Sequence, residues 1–258
     1  MNIIYTNDDG ILAPGIQALM AGVPEGVKAI AVAPASERSA SSHSISLGQK
    51  LRVEEFDNNG IYCYMVHGTP ADCIKFAVSE LSAFRPDLVV SGVNHGANTG
   101  VSVYYSGTIS AAREGLINRI PAMALSLCSR SFSDFRASVE AAAKLIEGHR
   151  AGLFPRDILL NVNVPPLTPG EIKGMRVTKQ ASSRFVEEFI KEKGHDGKQV
   201  YSLAGEIEVY DKDGTSDEEA VAEGYISITP LKLDITDYNS MKLFEKWAAE
   251  GGMKRGRS

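Results

Sequence analysis

The chain has few cysteines and no arrangement of them that suggests a covalent or zinc-bound framework. Its 258 residues include three, Cys63, Cys73 and Cys128. They are odd in number, widely spaced and set in apolar surroundings, and no C-x-x-C pair occurs. This usage predicts reduced, buried thiols in a cytoplasmic protein rather than a disulfide scaffold or a zinc site.

Long apolar runs and a surplus of positive charge are also missing. No stretch reaches the roughly 18 apolar residues of a membrane span, and no basic leader precedes the first apolar run. With 27 Lys and Arg against 32 Asp and Glu, the formal net charge is -5, whereas general affinity for nucleic-acid backbone needs clustered basic residues. We expect a soluble, cytoplasmic protein that binds neither membranes nor nucleic-acid polymers.

Three common catalytic fingerprints are absent as well. The chain contains no G-x-x-x-x-G-K-[ST], no G-x-G-x-x-G and no G-x-S-x-G, which disfavours a P-loop, a dinucleotide fold and a nucleophile elbow. "VYDKDGT" at 209–215 resembles the aspartate signature of haloacid-dehalogenase-type phosphatases, but that signature belongs after a first core strand. We therefore predict a hairpin turn at 211–214.

Short apolar runs alternate with helical patterns through the first two thirds of the chain. The order strand, helix, strand predicts a Rossmann-like, mostly parallel, doubly wound sheet in three α/β/α layers, forming a catalytic domain over 1–170. In "GTPAD", Thr69 is the expected N-cap of a helix that begins at Pro70 and carries Asp72 in its first turn. The runs read as strands are 2–6, 27–33, 61–66, 87–92, 122–127 and 158–164.

The character of the chain changes after residue 170. Strand-like runs without intervening core helices and the turn signals "GHDG" and "DKDG" predict a hairpin-rich extension over 171–258 that is not an independent domain. Its last helix, at 237–250, carries Met241, Phe244 and Trp247 three residues apart. Apolar surface on so small an extension predicts contact with another subunit, hence a homo-oligomer.

Oxygen-bearing side chains follow the predicted strands, where open α/β sheets bind ligands. Asp8 and Asp9 follow the first strand, a serine-rich loop follows the second, and Asn94 and Asn98 lie after a later one. Such oxygens suit Mg²⁺ or Mn²⁺. The alternative for the aspartates is a helix cap, but two acids followed by a turn-permitting glycine favour a cation site.

A second group of residues predicts a site for a phosphate. Ser106, Gly107 and Thr108 stand where a glycine-containing loop enters a helix expected at 109–118, so backbone N–H groups and hydroxyls can converge on an anion. Helix capping is the simpler alternative for these residues. His43, in the serine-rich loop, could protonate a leaving group, or it is an ordinary loop histidine.

The motifs together resemble those of the SurE family of metal-dependent nucleotidases. They are "NDDG", "APASERSASSHSISL", "VHGTPADC", "SGVNHGANTG", "YYSGTISAAREG" and "GYISITPL", and the likeness runs through nearly all of residues 1–236. The resemblance implies a Rossmann-like fold with a swapped C-terminal element. It also implies dimers or tetramers.

The resemblance further assigns roles to individual residues. It implies that Asp8, Asp9, Ser39 and Asn94 hold one divalent cation per subunit, and that Asn98 and residues 106–108 line the phosphate side. The implied activity is release of phosphate from nucleoside 5′- and 3′-monophosphates, with polyphosphate as a substrate of some members.

The expected mechanism is metal-assisted hydrolysis. A water made more acidic by the cation attacks phosphorus, and the 106–108 segment stabilises the charge on the phosphoryl oxygens. Two alternatives stay open on the sequence. The first is a covalent route through Asp8 or Asp9, and the second is a non-catalytic sensor of nucleotides that uses the same site.

Overall fold

A computed structural model describes residues 1–38, 41–194 and 196–250. Within these ranges a nine-stranded sheet has the order β3-β4-β2-β1-β5-β6-β7-β11-β8, and β9 and β10 form a separate two-stranded sheet. The strands are β1 (Asn2–Thr6), β2 (Lys28–Pro34), β3 (Val53–Asn58), β4 (Ile61–Val66), β5 (Leu88–His95), β6 (Ala122–Leu127), β7 (Leu159–Val164), β8 (Met175–Val177), β9 (Ser183–Lys193), β10 (Gln199–Val209) and β11 (Ile226–Leu231). The helices are α1 (Pro14–Ala21), α2 (Pro70–Glu80), α3 (Gly107–Ile117), α4 (Arg136–Arg150), α5 (Asp217–Ala222) and α6 (Tyr238–Ala249).

The six strands expected from apolar runs are all present, and they form the middle of the large sheet. Each adjacent pair in the series β4-β2-β1-β5-β6-β7 is parallel. All of these strands except β4 are almost wholly buried because helices cover both faces, so their sequences are continuously apolar rather than alternating. β4, nearer the edge of the sheet, is partly exposed. The expected α/β architecture is confirmed.

The two faces of the sheet carry separate hydrophobic cores. Ile3 and Tyr5 point to the core that α1 and α4 cover, whereas Ile4 points to the core that α2 and α3 cover. This assignment follows from the alternation of side chains along a strand. Helices on both faces give the three layers predicted from the sequence.

Helix α2 begins as its sequence predicts. Thr69 accepts a hydrogen bond from the backbone N–H of Asp72 at 3.1 Å, and the Asp72 carboxylate accepts one from the backbone N–H of Thr69 at 2.8 Å. This reciprocal pair satisfies two backbone donors that a helix start otherwise leaves free.

The segment after residue 170 contributes both to the large sheet and to the hairpin. β11 pairs antiparallel with β7, and β8 pairs parallel with β11 at the edge of the large sheet. β9 and β10 form the long antiparallel hairpin. The sheet therefore crosses residue 170, and the division of the chain at that point stays a prediction about domain organisation.

The hairpin turn expected at 211–214 is wrong. β10 ends at Val209 and α5 begins at Asp217, so this segment links a strand to a helix. The hairpin turns earlier, between Lys193 and Gln199. A "DKDG" sequence signals a change of chain direction but not the element that follows it.

Among the helices of the described residues, none has the length and apolar composition of a membrane-spanning helix.

Candidate functional site

The site forms where β1 ends against the first turn of α3. Asp8, two residues beyond β1, is buried, and its Oδ1 accepts a hydrogen bond from the Thr108 hydroxyl. Gly107, the first residue of α3, has no room for a side chain, since an added Cβ would lie 2.7 Å from the Cβ of Asp8. The helix start and the carboxylate are therefore in direct contact.

Burial makes ionisation of both acidic side chains unfavourable. It raises the pKa of Asp8 to about 6, with the hydrogen bond from Thr108 opposing the rise and the charge of Asp9 adding to it. Burial also raises the pKa of Asp9, against a hydrogen bond from the backbone N–H of His95. Among the described residues, neither aspartate forms an ion pair. A bound cation would therefore stabilise this pair of carboxylates.

Asn94 stands beside the aspartates near the end of β5. The N–H of the next residue, His95, lies 3.4 Å from Oδ2 of Asp9. Asn94 donates its Nδ2 to the carbonyl of Gly96 at 2.8 Å, which orients the amide and leaves Oδ1 as its remaining polar atom. The side chain thus offers an oxygen ligand next to Asp9.

The expected ligand Ser39 lies outside the described residues. The last described residue before it, Arg38, donates its backbone N–H to the Asp8 carbonyl at 2.8 Å. Within the described ranges, no group of three or more His, Cys, Asp or Glu side chains could hold a metal ion. A cation at Asp8 and Asp9 would therefore need amide or hydroxyl oxygens to complete its ligands.

The hydroxyls of the expected phosphate segment are already engaged within the protein. Ser106 is the N-cap of α3 and its Oγ accepts from the backbone N–H of Ile109 at 3.1 Å, while Thr108 donates to Asp8. The helix therefore begins at Gly107 rather than at the expected residue 109. In the first turn of α3, the Ile109 N–H donates to Ser106 and the Thr108 N–H to the Asp8 carboxylate, so the Gly107 N–H is the group left to bind an anion.

Asn98 is buried in a polar network between β6 and β7. Its backbone N–H donates to Oδ1 of Asn163 at 2.9 Å, and its Nδ2 donates to the Ser126 hydroxyl at 2.8 Å. Its carbonyl accepts from Asn161 at 2.7 Å. Asn98 thus holds the loop after β5 on the neighbouring strands. Polar residues inside the apolar-looking runs "AMALSL" and "ILLNVNV" were the signal for this network.

His43 lies against the side of α3 rather than in isolation on its loop. Its Nε2 is 2.9 Å from Oε2 of Glu114, a residue that is 3% exposed, and Lys75 donates to Oε1 of the same carboxylate at 2.8 Å. Burial opposes ionisation of Glu114, but the bonds from His43 and Lys75 outweigh it and hold its pKa below the usual value. The sequence interpretation missed Glu114, because an acid among "SAAREG" resembles any polar position of a helix.

Two further residues near Asp9 were also missed. The His95 ring stacks on Phe135 with centroids 4.9 Å apart, and its Nε2 is buried with no partner in the described part of the chain. The charge of Arg130 lowers the pKa of Asp9. Arg130 follows β6, so the rule that ligands bind at strand ends could have found it.

Comparisons with known proteins identify the family of the chain. The family model described as survival protein SurE matches residues 3–187. A protein from Symbiobacterium thermophilum named 5′-nucleotidase SurE is 44% identical over 249 residues, which cover 95% of this chain and 97% of that protein. One of the same name from Chlorobium chlorochromatii is 39% identical over 247 residues, covering 95% and 91%.

A solved structure shares the fold over the same extent. The crystal structure of a SurE protein from Aquifex aeolicus superposes with a TM-score of 0.83 at 35% identity, covering 96% of this chain and all of that one. Family match, sequence identity and fold coincide over nearly the whole chain. The chain therefore belongs to the SurE family.

Proposed function

We infer that this protein is a phosphatase that hydrolyses nucleoside 5′-monophosphates to nucleosides and phosphate. The observation that carries the inference is the contact of Asp8, which Asp9 follows directly in the chain, with the first turn of α3. Adjacent carboxylates offer a cation site, and the helix start offers an N–H group to a phosphoryl group. Relatives that share about two fifths of the residues are named 5′-nucleotidase.

The donor set fits a divalent cation of the Mg²⁺ or Mn²⁺ type. The residues that would hold it are Asp8, Asp9, Asn94 and Ser39, all of which supply oxygen. The thiols and free imidazole nitrogens that zinc prefers are not among them. When bound, such an ion supplies positive charge for the phosphoryl oxygens and makes a water molecule more acidic.

The chain's own residues would bind and orient the substrate. The N–H group of Gly107 would donate to a phosphoryl oxygen, which gains charge in the transition state. Thr108 would hold the Asp8 carboxylate in place through its hydroxyl. His43, oriented by Glu114, would supply a proton to the departing nucleoside oxygen. Asn98 would keep the loop after β5 in position.

Phosphate release from a panel of mononucleotides tests the function directly. Wild type and Asp9→Asn are assayed with 5′- and 3′-monophosphates in EDTA, Mg²⁺ and Mn²⁺. We expect phosphate release only with metal, and a rate at least a hundredfold lower in the variant, because one of the carboxylates that would hold the cation is lost. Wild type that binds mononucleotides in metal but releases no phosphate would make the protein a sensor instead.

We also propose that the protein is a homodimer or homotetramer in the cytoplasm. Met241, Phe244 and Trp247 on α6 are 42%, 67% and 54% exposed, and Phe189 and Leu203 on the hairpin are 63% and 61% exposed. An apolar surface of this extent is stabilised when a second copy covers it. The cytoplasmic location rests on the three free cysteines.

A further inference from the structure

A cavity lies at the edge of the sheet opposite the candidate site. It has a volume of about 490 Å³. Residues that precede four neighbouring strands line it, namely Met1 before β1, Asp87 before β5, Pro121 before β6 and Arg156 before β7. Asp8 and Asp9 follow the carboxyl end of β1, one of these four strands. The length of the sheet therefore separates the cavity from the candidate site.

The lining of this cavity is basic in a chain that is acidic overall. Arg119, His149, Arg150 and Arg156 contribute to it, whereas Asp87 is its acidic residue. Asp87 already accepts a hydrogen bond from the backbone N–H of Asn2 at 2.7 Å. The formal net charge of the whole chain is -5. A local surplus of positive charge on such a chain indicates a site for an anion.

Part of this charge has a structural explanation. His149 and Arg150 lie in the last turn of α4, where basic residues stabilise the negative end of the helix. Arg150 also donates to the carbonyl of Glu25 at 3.2 Å and lies 3.4 Å from Oε1 of Glu147. These contacts account for two of the basic residues without a ligand.

The other two arginines have no such explanation. Across residues 1–38, 41–194 and 196–250, neither Arg119 nor Arg156 is in an ion pair. Arg156 stands beyond the end of α4, in the connection to β7. Both residues line the cavity.

The backbone conformation at Arg119 suits glycine better than arginine. Its φ is 62°, in the left-handed region just beyond the end of α3, where glycine is the usual residue. Its N–H donates to the Leu116 carbonyl at 2.9 Å, as expected of a residue that ends a helix. An arginine at such a position strains the backbone, whereas glycine would relieve the strain. A glycine at this position would therefore keep the backbone conformation and remove the guanidinium group.

We propose that this cavity binds a small anion that carries a chain of two or three phosphate groups. Guanidinium groups match phosphate oxygens in geometry and charge. Arg119 and Arg156, neither of them in an ion pair among the described residues, can each meet one phosphate group of such a chain, and the volume lies in the range of small-molecule sites. The site is separate from Asp8 and Asp9, so the proposal does not depend on the proposed function.

Calorimetric titration of the full-length protein tests the proposal. The probes are inorganic tripolyphosphate and ADP, in low-salt buffer with EDTA. We expect Arg119→Gly and Arg156→Gln each to weaken binding about tenfold or more, because each removes a charged donor. Arg52→Gln, which removes an exposed arginine elsewhere, and Asp8→Asn, at the candidate site, should leave the affinity unchanged.

Arg119→Gly is the decisive variant, because glycine suits the left-handed backbone and should not lower the melting temperature. Loss of binding in this variant therefore reports on the guanidinium and not on folding. Tighter binding of ADP would assign the site to nucleotides, and equal or tighter binding of tripolyphosphate to the phosphate chain alone. The proposal is overturned if wild type binds neither probe, if both arginine variants bind like wild type, or if Asp8→Asn abolishes binding.

Discussion

The hydroxyl of Thr108 donates a hydrogen bond to the buried carboxylate of Asp8. A residue in the first turn of α3 thereby holds the side chain that follows β1, although 100 positions separate the two. The bond satisfies an oxygen that would otherwise be buried without a partner. It also links the proposed cation ligand to the helix start that would bind phosphate.

Thr108→Val removes this bond with almost no change in side-chain shape. Because the buried carboxylate then loses its side-chain donor, we expect a loss of about 1–3 kcal/mol in the free energy of unfolding. We also expect kcat/KM for a 5′-mononucleotide to fall about tenfold or more as Asp8 moves. Thr108→Ser keeps the hydroxyl and serves as the matched control. Wild-type values of both quantities in the valine variant would show that the bond has no role.

Gly107→Ala tests the close approach of α3 to Asp8. The added Cβ would lie 2.7 Å from the Cβ and Oδ2 of Asp8, so the helix start or the aspartate must shift. We expect about 1–3 kcal/mol of destabilisation from the overpacking, together with weaker Mn²⁺ binding in calorimetry.

Gly170→Ala is the control for the glycine substitution, because an added Cβ there meets no atom within 4 Å. The control should match wild type in both measurements. If Gly107→Ala also binds Mn²⁺ like wild type, Asp8 does not depend on that contact for its position.

Glu114→Gln tests the hydrogen bond to His43 and the ion pair with Lys75. The folded state lowers the pKa of Glu114 below its usual value, so the ionised side chain stabilises the protein above about pH 4.5 and this contribution is lost as the pH falls further. We expect the variant to be less stable than wild type at pH 7 and the difference to shrink below about pH 4.5.

Urea unfolding between pH 3.5 and pH 7, about one unit below and well above the usual value for glutamate, measures this difference. Glu245→Gln on the exposed face of α6 serves as the control and should show no such dependence. A stability difference for Glu114→Gln that stays constant over the whole range would contradict the assignment. In the activity assay, a changed pH profile of kcat would support the orienting role for His43.

Phe244→Asp tests the proposed subunit contact. The side chain is 67% exposed on the described chain, and α6 has no buried residue. Because a charge in an apolar interface remains unpaired, we expect a lower mass by light scattering and no change in the secondary structure of the subunit. Lys242→Asp, on the same helix and already charged, is the comparison. A wild-type protein that is monomeric at the concentrations of the activity assay would contradict the proposed oligomer.

The sequence by itself determined the elements whose signals are local. Six apolar runs gave six strands, and "GTPAD" predicted the N-cap and first residue of α2, because a continuous apolar run and a helix start are each visible in neighbouring residues. Asp8 and Asp9 were placed correctly at the sheet edge, since the carboxyl ends of parallel strands meet there. The role of these residues as cation ligands stays a prediction.

Only the tertiary structure decided which distant segments meet. β11 pairs with β7 rather than within a C-terminal hairpin, and no local pattern names the partner of a strand. Glu114 contacts His43, which lies 71 positions away in the chain, and the Thr108 hydroxyl donates a hydrogen bond to Asp8. The residue types determine the chemistry that each group can perform. Long-range packing determined which groups face one another, because the free energy gained by burial depends on all the packed segments together and not on one segment.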